Sequence, residues 1–406
     1  MNSQSKIPGI KDALLLNAYS FCLLAGYYQV KPISRTLFVE TAGAKNLPFL
    51  WLGSALVLSL LIPIIQWGFK NFPPLKVLAG STISFSLLLF FLWVLLANAT
   101  LTNSIFFYIL IDIFIVILVE NFWSVNNIVF KNSEGKKWYG FIASGSTLGA
   151  IAGSAIAAKY LQLNNTTTLD LIFIAIFFFI CSLILAQIGF KTSIWSKTEQ
   201  LNKEKEIDND SLKKSLKIPA VKLLICLSLI SQVIEPLVEY LFLQNVENSI
   251  LGLKERTQYI ANVFTLISSL ALFINLTILP LMLKKIGLWT SLILQPLIIM
   301  IAAVFNSTSN SLTSNSMLKI IDRGFSYSIG RAAKELLYLD QGSKLVYLMK
   351  PWIDMFGYRT FKILGALLIL FLSSALTFRW LSVLIVLICL FWIISIVIFK
   401  LSSKSK

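Results

Sequence analysis

Apolar residues follow one another in runs of about twenty along most of this chain, and shorter polar segments separate the runs. About twenty helical residues, rising 1.5 Å each, cross a hydrocarbon core of about 30 Å. The pattern therefore predicts an all-α polytopic membrane protein with about twelve transmembrane helices. We place these spans near residues 12–31, 47–68, 75–98, 104–128, 139–160, 169–190, 218–244, 258–283, 285–305, 312–331, 360–378 and 380–400.

The longest hydrophilic segment between spans is residues 191–217, which is rich in Lys, Glu, Asp and Ser. It divides the chain into two predicted six-helix bundles, residues 1–190 and 218–406, joined by a cytoplasmic linker. This arrangement resembles the major-facilitator architecture, in which two bundles rock about a site at the membrane midplane. The first and fourth helix of each half line the cavity in that fold, so we expect spans 1, 4, 7 and 10 to do so here.

Composition and charge support a membrane protein with a defined orientation. Hydrophobic residues make up 57% and charged residues 13% of the chain, and the mean hydropathy is +0.79. Lys and Arg concentrate at both termini and in the connections on the same side, which predicts an inner-membrane protein with cytoplasmic termini. The net charge of +16 then reflects topology and contact with the lipid bilayer, and we expect no nucleic-acid partner. No signal-peptide cleavage site follows the first apolar run, so we expect that span to stay in the mature protein. We also expect the protein to be a monomer.

The chain has no histidine, and each of its four cysteines stands alone within an apolar run. Without imidazole, the commonest catalytic base and metal ligand is missing. We therefore expect no disulfide, no metal site, no cofactor and no enzymatic activity. The cysteines, interpreted as small buried hydrophobic residues, are Cys22, Cys181, Cys226 and Cys389.

Span 5 carries small residues at every fourth position, at Gly145, Gly149, Gly153 and Ala157. Such a stripe lets a neighbouring helix approach closely. A nucleotide-binding glycine loop would need a preceding strand and a Lys-Ser or Lys-Thr ending, and this segment has neither. The sequence therefore favours helix packing.

Ionisable residues interrupt the predicted cavity helices, although each costs about 2.5–3.5 kcal/mol at the centre of a span. In span 1, Tyr28, Lys31 and Arg35 share one face if the helix continues past Pro32, whereas Arg35 lies in a loop if it does not.

Span 4 contains Asp112 and a polar stripe of Glu120, Trp123 and Asn127 in its predicted cytoplasmic half. A local hydrogen-bond cluster is one interpretation of the stripe. Because a carboxylate without a counter-charge is expensive at such a position, we favour a functional role for Glu120.

Span 7 places Gln232, Glu235 and Glu239 on one face, with Pro236 between the two acids. Two carboxylates one turn apart repel each other when both are ionised, so a basic neighbour or a protonated acid is expected.

Span 10 carries two cations one turn apart near its middle, Lys319 and Arg323, and Asp322 can pair with them locally. Ser326, Gly330 and Lys334 continue the series at helical spacing. Two buried cations on one helix face are hard to explain by packing and predict an anion site.

Several strings in these spans resemble the ATP/ADP translocase family of intracellular bacteria and plastids. They are YYQVKPISRTLFV, AGAKNLPFLW, VENFWSVNN, YGFIASGSTLGAIAGS, LVEYLF and RGFSYSIGRAAKELLYLD. The resemblance implies nucleotide antiport, with Lys31, Glu120, Glu239 and Lys334 holding the nucleotide. The chain departs from the family at Arg35, where relatives have an acid, and in the segment after Lys334.

Residues and resemblance together predict a nucleotide exchanger of the ATP:ADP type. Its substrate-binding residues would be Lys31, Glu120, Glu239, Lys319, Arg323 and Lys334, with Tyr28, Trp123 and Tyr327 as stacking faces for a base. The alternative is a proton-coupled symporter of another phosphorylated or anionic metabolite. A third possibility, a scaffold built on a degenerate transporter, gains nothing from these buried charges.

The charge positions also suggest two gates. Lys31 or Arg35 would pair with Glu239 to close the outer mouth, and Glu120 with Lys334 to close the inner mouth. The alternative is that these residues bind substrate and never meet.

Overall fold

The computed structural model describes residues 9–130, 138–192, 219–279, 282, 288–332, 357–372 and 377–404. Every regular element in these ranges is helical, and the long helices are twelve. They are α1 Ile10–Ala42, α2 Leu47–Asn71, α3 Pro74–Leu96, α4 Leu101–Val129, α5 Tyr139–Tyr160, α6 Leu171–Thr192, α7 Pro219–Ser249, α8 Leu253–Phe273, α9 Leu288–Ser309, α10 Leu312–Phe325, α11 Tyr358–Leu372 and α12 Phe378–Lys404.

The predicted all-α polytopic fold is confirmed by the lengths and composition of these helices. Within the described residues, nine helices are long and apolar enough to cross a membrane. α10 and α11 are shorter, with 14 and 15 residues. Two helices continue into π-helical turns: α8 at Ile274–Ile278 and α10 at Ser326–Gly330. The three cysteines with described side chains, Cys22, Cys181 and Cys389, are free thiols.

The chain forms two compact units. Unit 1 takes its described residues from Met1–Gly43, Leu56–Glu204 and Ile250–Ser268. Unit 2 takes its own from Ala44–Ala55, Lys205–Ser249 and Ser269–Lys406. Most of α2 thus belongs to unit 1 and its start to unit 2, whereas most of α8 belongs to unit 1. The division into bundles 1–190 and 218–406 with a linker at 191–217 stays a prediction.

In unit 1, α1 packs against α4, α5 and α6. The glycine stripe of α5 makes the tightest of these contacts. A Cβ atom at Gly145 would lie 2.2 Å from the Asn17 carbonyl oxygen, at Gly149 2.2 Å from that of Phe21, and at Gly153 2.4 Å from that of Ala25. Since no real Cβ atom occupies such a position, these glycines let the backbones of α1 and α5 touch.

In unit 2, α7 packs against α10, α11 and α12, and α9 packs against α10 and α12. Buried amides and hydroxyls connect three of these helices at one end. The Asn306 amide donates to Asn315 and to Ser382, both at 3.0 Å, and accepts from the Ser314 hydroxyl at 2.6 Å. Since these groups satisfy one another, the polar cluster stabilises the start of α10 at low cost.

Candidate functional site: buried charges in both units

Arg35 lies within a helix, because α1 continues through Pro32 to Ala42. The two alternatives for Arg35 are thus decided in favour of the helix. Proline removes one backbone donor, but the carbonyl of Pro32 itself still accepts from the Thr36 hydroxyl at 2.9 Å. Tight burial of this stretch in unit 1 holds it helical despite the proline.

The Arg35 guanidinium is buried beside a carboxylate of α4. Its Nη2 lies 2.6 Å from Asp112 Oδ1, and its Nη1 donates to the Ser34 hydroxyl at 2.9 Å. Its Cζ lies 4.3 Å from the centroid of the Tyr108 ring. Ion pair, hydroxyl and ring together offset the cost of burying this cation.

Lys31, one turn before Arg35, lies among aromatic rings. Its Nζ is 4.5 Å from the ring centroid of Phe264, 5.0 Å from that of Tyr28 and 5.4 Å from that of Tyr27. Tyr28 and Phe264 meet edge to face at 5.8 Å. The ammonium is therefore stabilised by ring quadrupoles. Tyr28, predicted as a stacking face, is buried against Lys31 and Phe264.

A second ion pair in unit 1 was not anticipated from the sequence. Arg256 Nη1, at the start of α8, lies 2.5 Å from Glu40 Oε2 near the end of α1. Arg256 also donates from Nε to the Ile250 carbonyl. This pair connects α1 to the segment of unit 1 that comes from the second half of the chain.

The polar residues of α4 are distributed differently from the predicted stripe. Glu120 is exposed, and Trp123 stacks on Tyr139 with centroids 6.2 Å apart. The buried polar side chains here are Asn121 and Asn126. The predicted Asn127 side chain lies outside the described residues. The apolar residues of α4 surround the whole helix, so its sequence gives little information about which face is buried.

Asn121 and Asn126 differ in their partners. Asn121 Nδ2 donates to the Ser81 hydroxyl at 2.9 Å. Both polar atoms of the Asn126 amide are buried without a hydrogen-bond partner. A buried amide without a hydrogen-bond partner loses its hydration uncompensated, which costs free energy. Among the described polar side chains of α4, Asn126 is therefore the least compensated.

Unit 2 contains a buried ion network that connects α7, α10 and α11. Lys319 on α10 forms an ion pair with Glu239 on α7. Arg323, one turn later, lies 3.0 Å from Glu235 through Nη1 and 2.8 Å from Asp322 through Nε. The basic neighbours expected for the two acids of span 7 are therefore the two cations of span 10.

Lys362 on α11 completes this network and was missed by the sequence analysis. Its Nζ lies 3.8 Å from Glu235 Oε1. Among the described residues, the network thus contains three cations and three carboxylates. Its members are Glu235, Glu239, Lys319, Asp322, Arg323 and Lys362.

The cations of the network differ in exposure. The side chains of Lys319 and Arg323 are 3% and 9% exposed, whereas that of Lys362 is 34% exposed. The sequence predicts an anion site at Lys319 and Arg323, with Asp322 as a local partner. In the structure their positive charges face carboxylates, so an anion that reaches them must compete with Glu235 or Glu239.

The π-helical turn that follows Arg323 changes the face on which later residues of α10 lie. A π turn takes up about one residue more than an α turn, so Gly330, at the end of the turn, is displaced from the α-helical stripe that the sequence predicts. Gln295 of α9 donates to the Ser326 hydroxyl at 3.0 Å, and a Cβ at Gly330 would lie 2.2 Å from its Oε1. Lys334, predicted to bind substrate and to gate, lies outside the described residues.

The other predicted side chains of this region have well-defined environments. Gln232 is buried and donates to the Ser231 hydroxyl at 3.3 Å. Tyr327, predicted to stack on a base, lies with its ring 5.9 Å from Arg323 Cζ. Within the described ranges, no group of three or more Cys, Asp or Glu residues could hold a metal ion.

No protein-family model and no curated protein matches this chain. Solved structures, however, share its fold over nearly the whole length. The nucleoside transporter NupG superposes with a TM-score of 0.69 at 10% identity, covering 98% of this chain and 100% of its own. A POT family transporter in complex with 5-aminolevulinic acid gives 0.70 at 11% identity, with 98% of each chain covered.

A bacterial homologue of the iron transporter ferroportin, in an inward-facing state, gives a TM-score of 0.63 at 11% identity and covers 96% of this chain and 98% of its own. At such low identities the likeness concerns the fold alone. The predicted major-facilitator-like fold is confirmed.

Proposed function

We propose that this protein is a membrane transporter that exchanges nucleotides across the inner membrane by alternating access. The observation that carries the proposal is the network of six charged side chains among the described residues of unit 2, on two of the predicted cavity helices and on α11. Each ion costs about 2.5–3.5 kcal/mol at mid-membrane on insertion scales. Apolar residues of similar volume would stabilise a merely structural core at least as well.

A phosphate-bearing substrate suits this network because its oxygens accept the same hydrogen bonds as the carboxylates. Lys31 adds a further cation in unit 1, among aromatic rings. The resemblance to the ATP/ADP translocases supports a nucleotide in particular. The likeness to a nucleoside transporter supports the fold, and the substrate has to be identified by experiment.

Exchange by the purified protein in proteoliposomes tests this function. Labelled ATP, ADP, other nucleotides, a nucleoside and a sugar phosphate should be offered to vesicles that are empty or preloaded with ADP. We expect uptake of nucleotides that depends on preloading. Uptake of the nucleoside alone, or of no compound in the panel, would contradict nucleotide exchange.

The charge balance of the network favours one second candidate, a proton-coupled symporter of a phosphorylated or anionic metabolite. An arriving anion adds negative charge to a network whose described cations already face carboxylates, and a proton on Glu235 or Glu239 offsets that charge. Uptake would then need no internal nucleotide and would stop when a protonophore collapses the pH gradient. Preloading and protonophore together distinguish the two candidates.

The proposed orientation has both termini in the cytoplasm. A single cysteine introduced near Ser211, in a variant whose native cysteines are replaced, should react with membrane-impermeant reagents only after the cells are opened. Reaction in intact cells would contradict this orientation.

A further inference from the structure

One carboxylate of the ion network is shared between two cations on different helices. Glu235 Oε2 lies 3.0 Å from Arg323 Nη1, and Glu235 Oε1 lies 3.8 Å from Lys362 Nζ. The first distance is that of a charged hydrogen bond, whereas the second is too long for one. Glu235 is therefore held firmly by α10 and loosely by α11.

Packing between α7 and α11 fixes Lys362 beside Glu235. Gly365, less than one turn after Lys362, lies so close to α7 that a Cβ there would be 2.9 Å from Pro236 Cγ and 2.9 Å from the Val233 carbonyl oxygen. These contacts flank Glu235 in the sequence of α7. The 3.8 Å distance between Lys362 and Glu235 is therefore found between two helices that are themselves in close contact.

Lys362 is also the most accessible of the three cations, at 34% exposure of its side chain. Lys319 and Arg323 are buried beside the carboxylates with which they pair. The ammonium of Lys362 is therefore more open to an anion than the cations of Lys319 and Arg323.

We infer that Lys362 binds a phosphate group of the substrate. When no substrate is bound, Lys362 pairs with the Glu235 carboxylate instead. This inference rests on the proposed transport of a phosphorylated anion. When the anion arrives, Lys362 leaves Glu235 for a phosphate oxygen, and Glu235 stays with Arg323. Because Arg323 compensates the carboxylate, the exchange leaves no bare carboxylate in the network.

A lysine suits this role because its ammonium is a compact charge on a flexible stem with three donors. It can turn from a carboxylate to a phosphate without a fixed planar geometry. The group that Lys362 recognises is a phosphate, and either a nucleotide or inorganic phosphate supplies one.

Calorimetric titration of the purified protein with ADP and, separately, with inorganic phosphate tests the inference. Lys362→Gln should weaken binding by about tenfold or more, the usual effect of one charged hydrogen bond. Lys362→Arg should keep most of the affinity. Lys191→Gln, which removes the same charge from the exposed end of α6, is the matched control and should bind as the parent does.

Glu235→Gln gives an opposite and more specific result. It removes the competitor of the substrate, so the affinity should rise by about threefold or more while Arg323 keeps Asp322 at 2.8 Å. If Glu235 and Lys362 only stabilised the fold, both variants would weaken binding or leave it unchanged.

The outcomes separate this inference from the proposed function. If the parent protein binds neither anion, both fail. If the parent binds and Lys362→Gln binds equally well, the inference alone fails. Weakened binding of ADP only, or of both anions, supports it and identifies the nucleotide or the bare phosphate as the recognised group. Should Lys362→Gln not fold, acetylation of Lys362 in the parent provides the test: ADP should slow it, and an unchanged rate would overturn the inference.

Discussion

Unit 1 buries Arg35 beside the carboxylate of Asp112, whereas unit 2 distributes three cations and three carboxylates among its described residues over α7, α10 and α11. The helices around the Arg35 pair are held by backbone contact along the α5 glycine stripe. Those around the unit 2 network include α10, whose α-helix gives way to a π turn three residues after Arg323.

The Arg35–Asp112 pair and the unit 2 network differ in how many ion-pairing arrangements of comparable energy their charges can form. A single buried pair has one good arrangement, and breaking it is costly. A network in which one carboxylate serves two cations can exchange partners while every charge stays compensated. Unit 1 therefore has the features of a rigid support, and unit 2 those of a site where partners change.

The largest expected effect comes from the glycine stripe of unit 1. Gly149→Leu would drive a side chain into the Phe21 carbonyl, and we expect the folded protein to be lost, because overpacking by even a few atoms costs about 1–3 kcal/mol. Gly80→Leu is the control, since nothing lies within 4 Å of a Cβ at this exposed position of α3. Size-exclusion profiles in detergent measure both. A monodisperse Gly149→Leu protein would contradict tight α1–α5 contact.

The next effect compares the two kinds of ion pair. Asp112→Asn removes the carboxylate from beside Arg35, whose contacts with Ser34 and Tyr108 are uncharged, and we expect a loss of about 3 kcal/mol in the free energy of unfolding. Glu235→Gln leaves Arg323 with Asp322, and we expect a loss of about 1 kcal/mol. Reversible unfolding in mixed micelles gives both values. Equal losses would remove the distinction between pair and network.

The smallest effect concerns the rings around Lys31. Phe264→Leu removes the ring closest to the ammonium and should lower stability by about 1 kcal/mol, whereas Phe264→Tyr keeps the ring face. Thermal unfolding of the two variants side by side is the measurement. If both variants lose the same amount, the ring face does not stabilise the ammonium.

The sequence predicted the helices well because an apolar run of membrane length allows few interpretations. Span 5 was placed at residues 139–160, which are the bounds of α5. α1 is longer than its predicted span, since Pro32 was taken as a possible break and the helix continues to Ala42. The π turn at 326–330 has no sequence signal comparable to apolar periodicity.

The charged residues were easier to find than their partners. Lys319 and Arg323 stand out within an apolar span, but their pairing with Glu239 and Glu235 depends on which face of α7 meets α10. Lys362 was missed because α11 was not among the expected cavity helices. The predicted gates, Lys31 or Arg35 with Glu239 and Glu120 with Lys334, stay predictions. In the structure Arg35 contacts Asp112 and Glu239 contacts Lys319.

The most direct test of the central claim removes both partners of one ion pair in the unit 2 network. Lys319→Met combined with Glu239→Leu should fold at least as well as either single variant, because a buried ion pair can be replaced by apolar residues of similar volume. We predict that labelled ADP exchange in proteoliposomes falls by about tenfold or more in the folded double variant. Exchange at the parent rate by an equal amount of reconstituted protein would contradict a transport role for these charges.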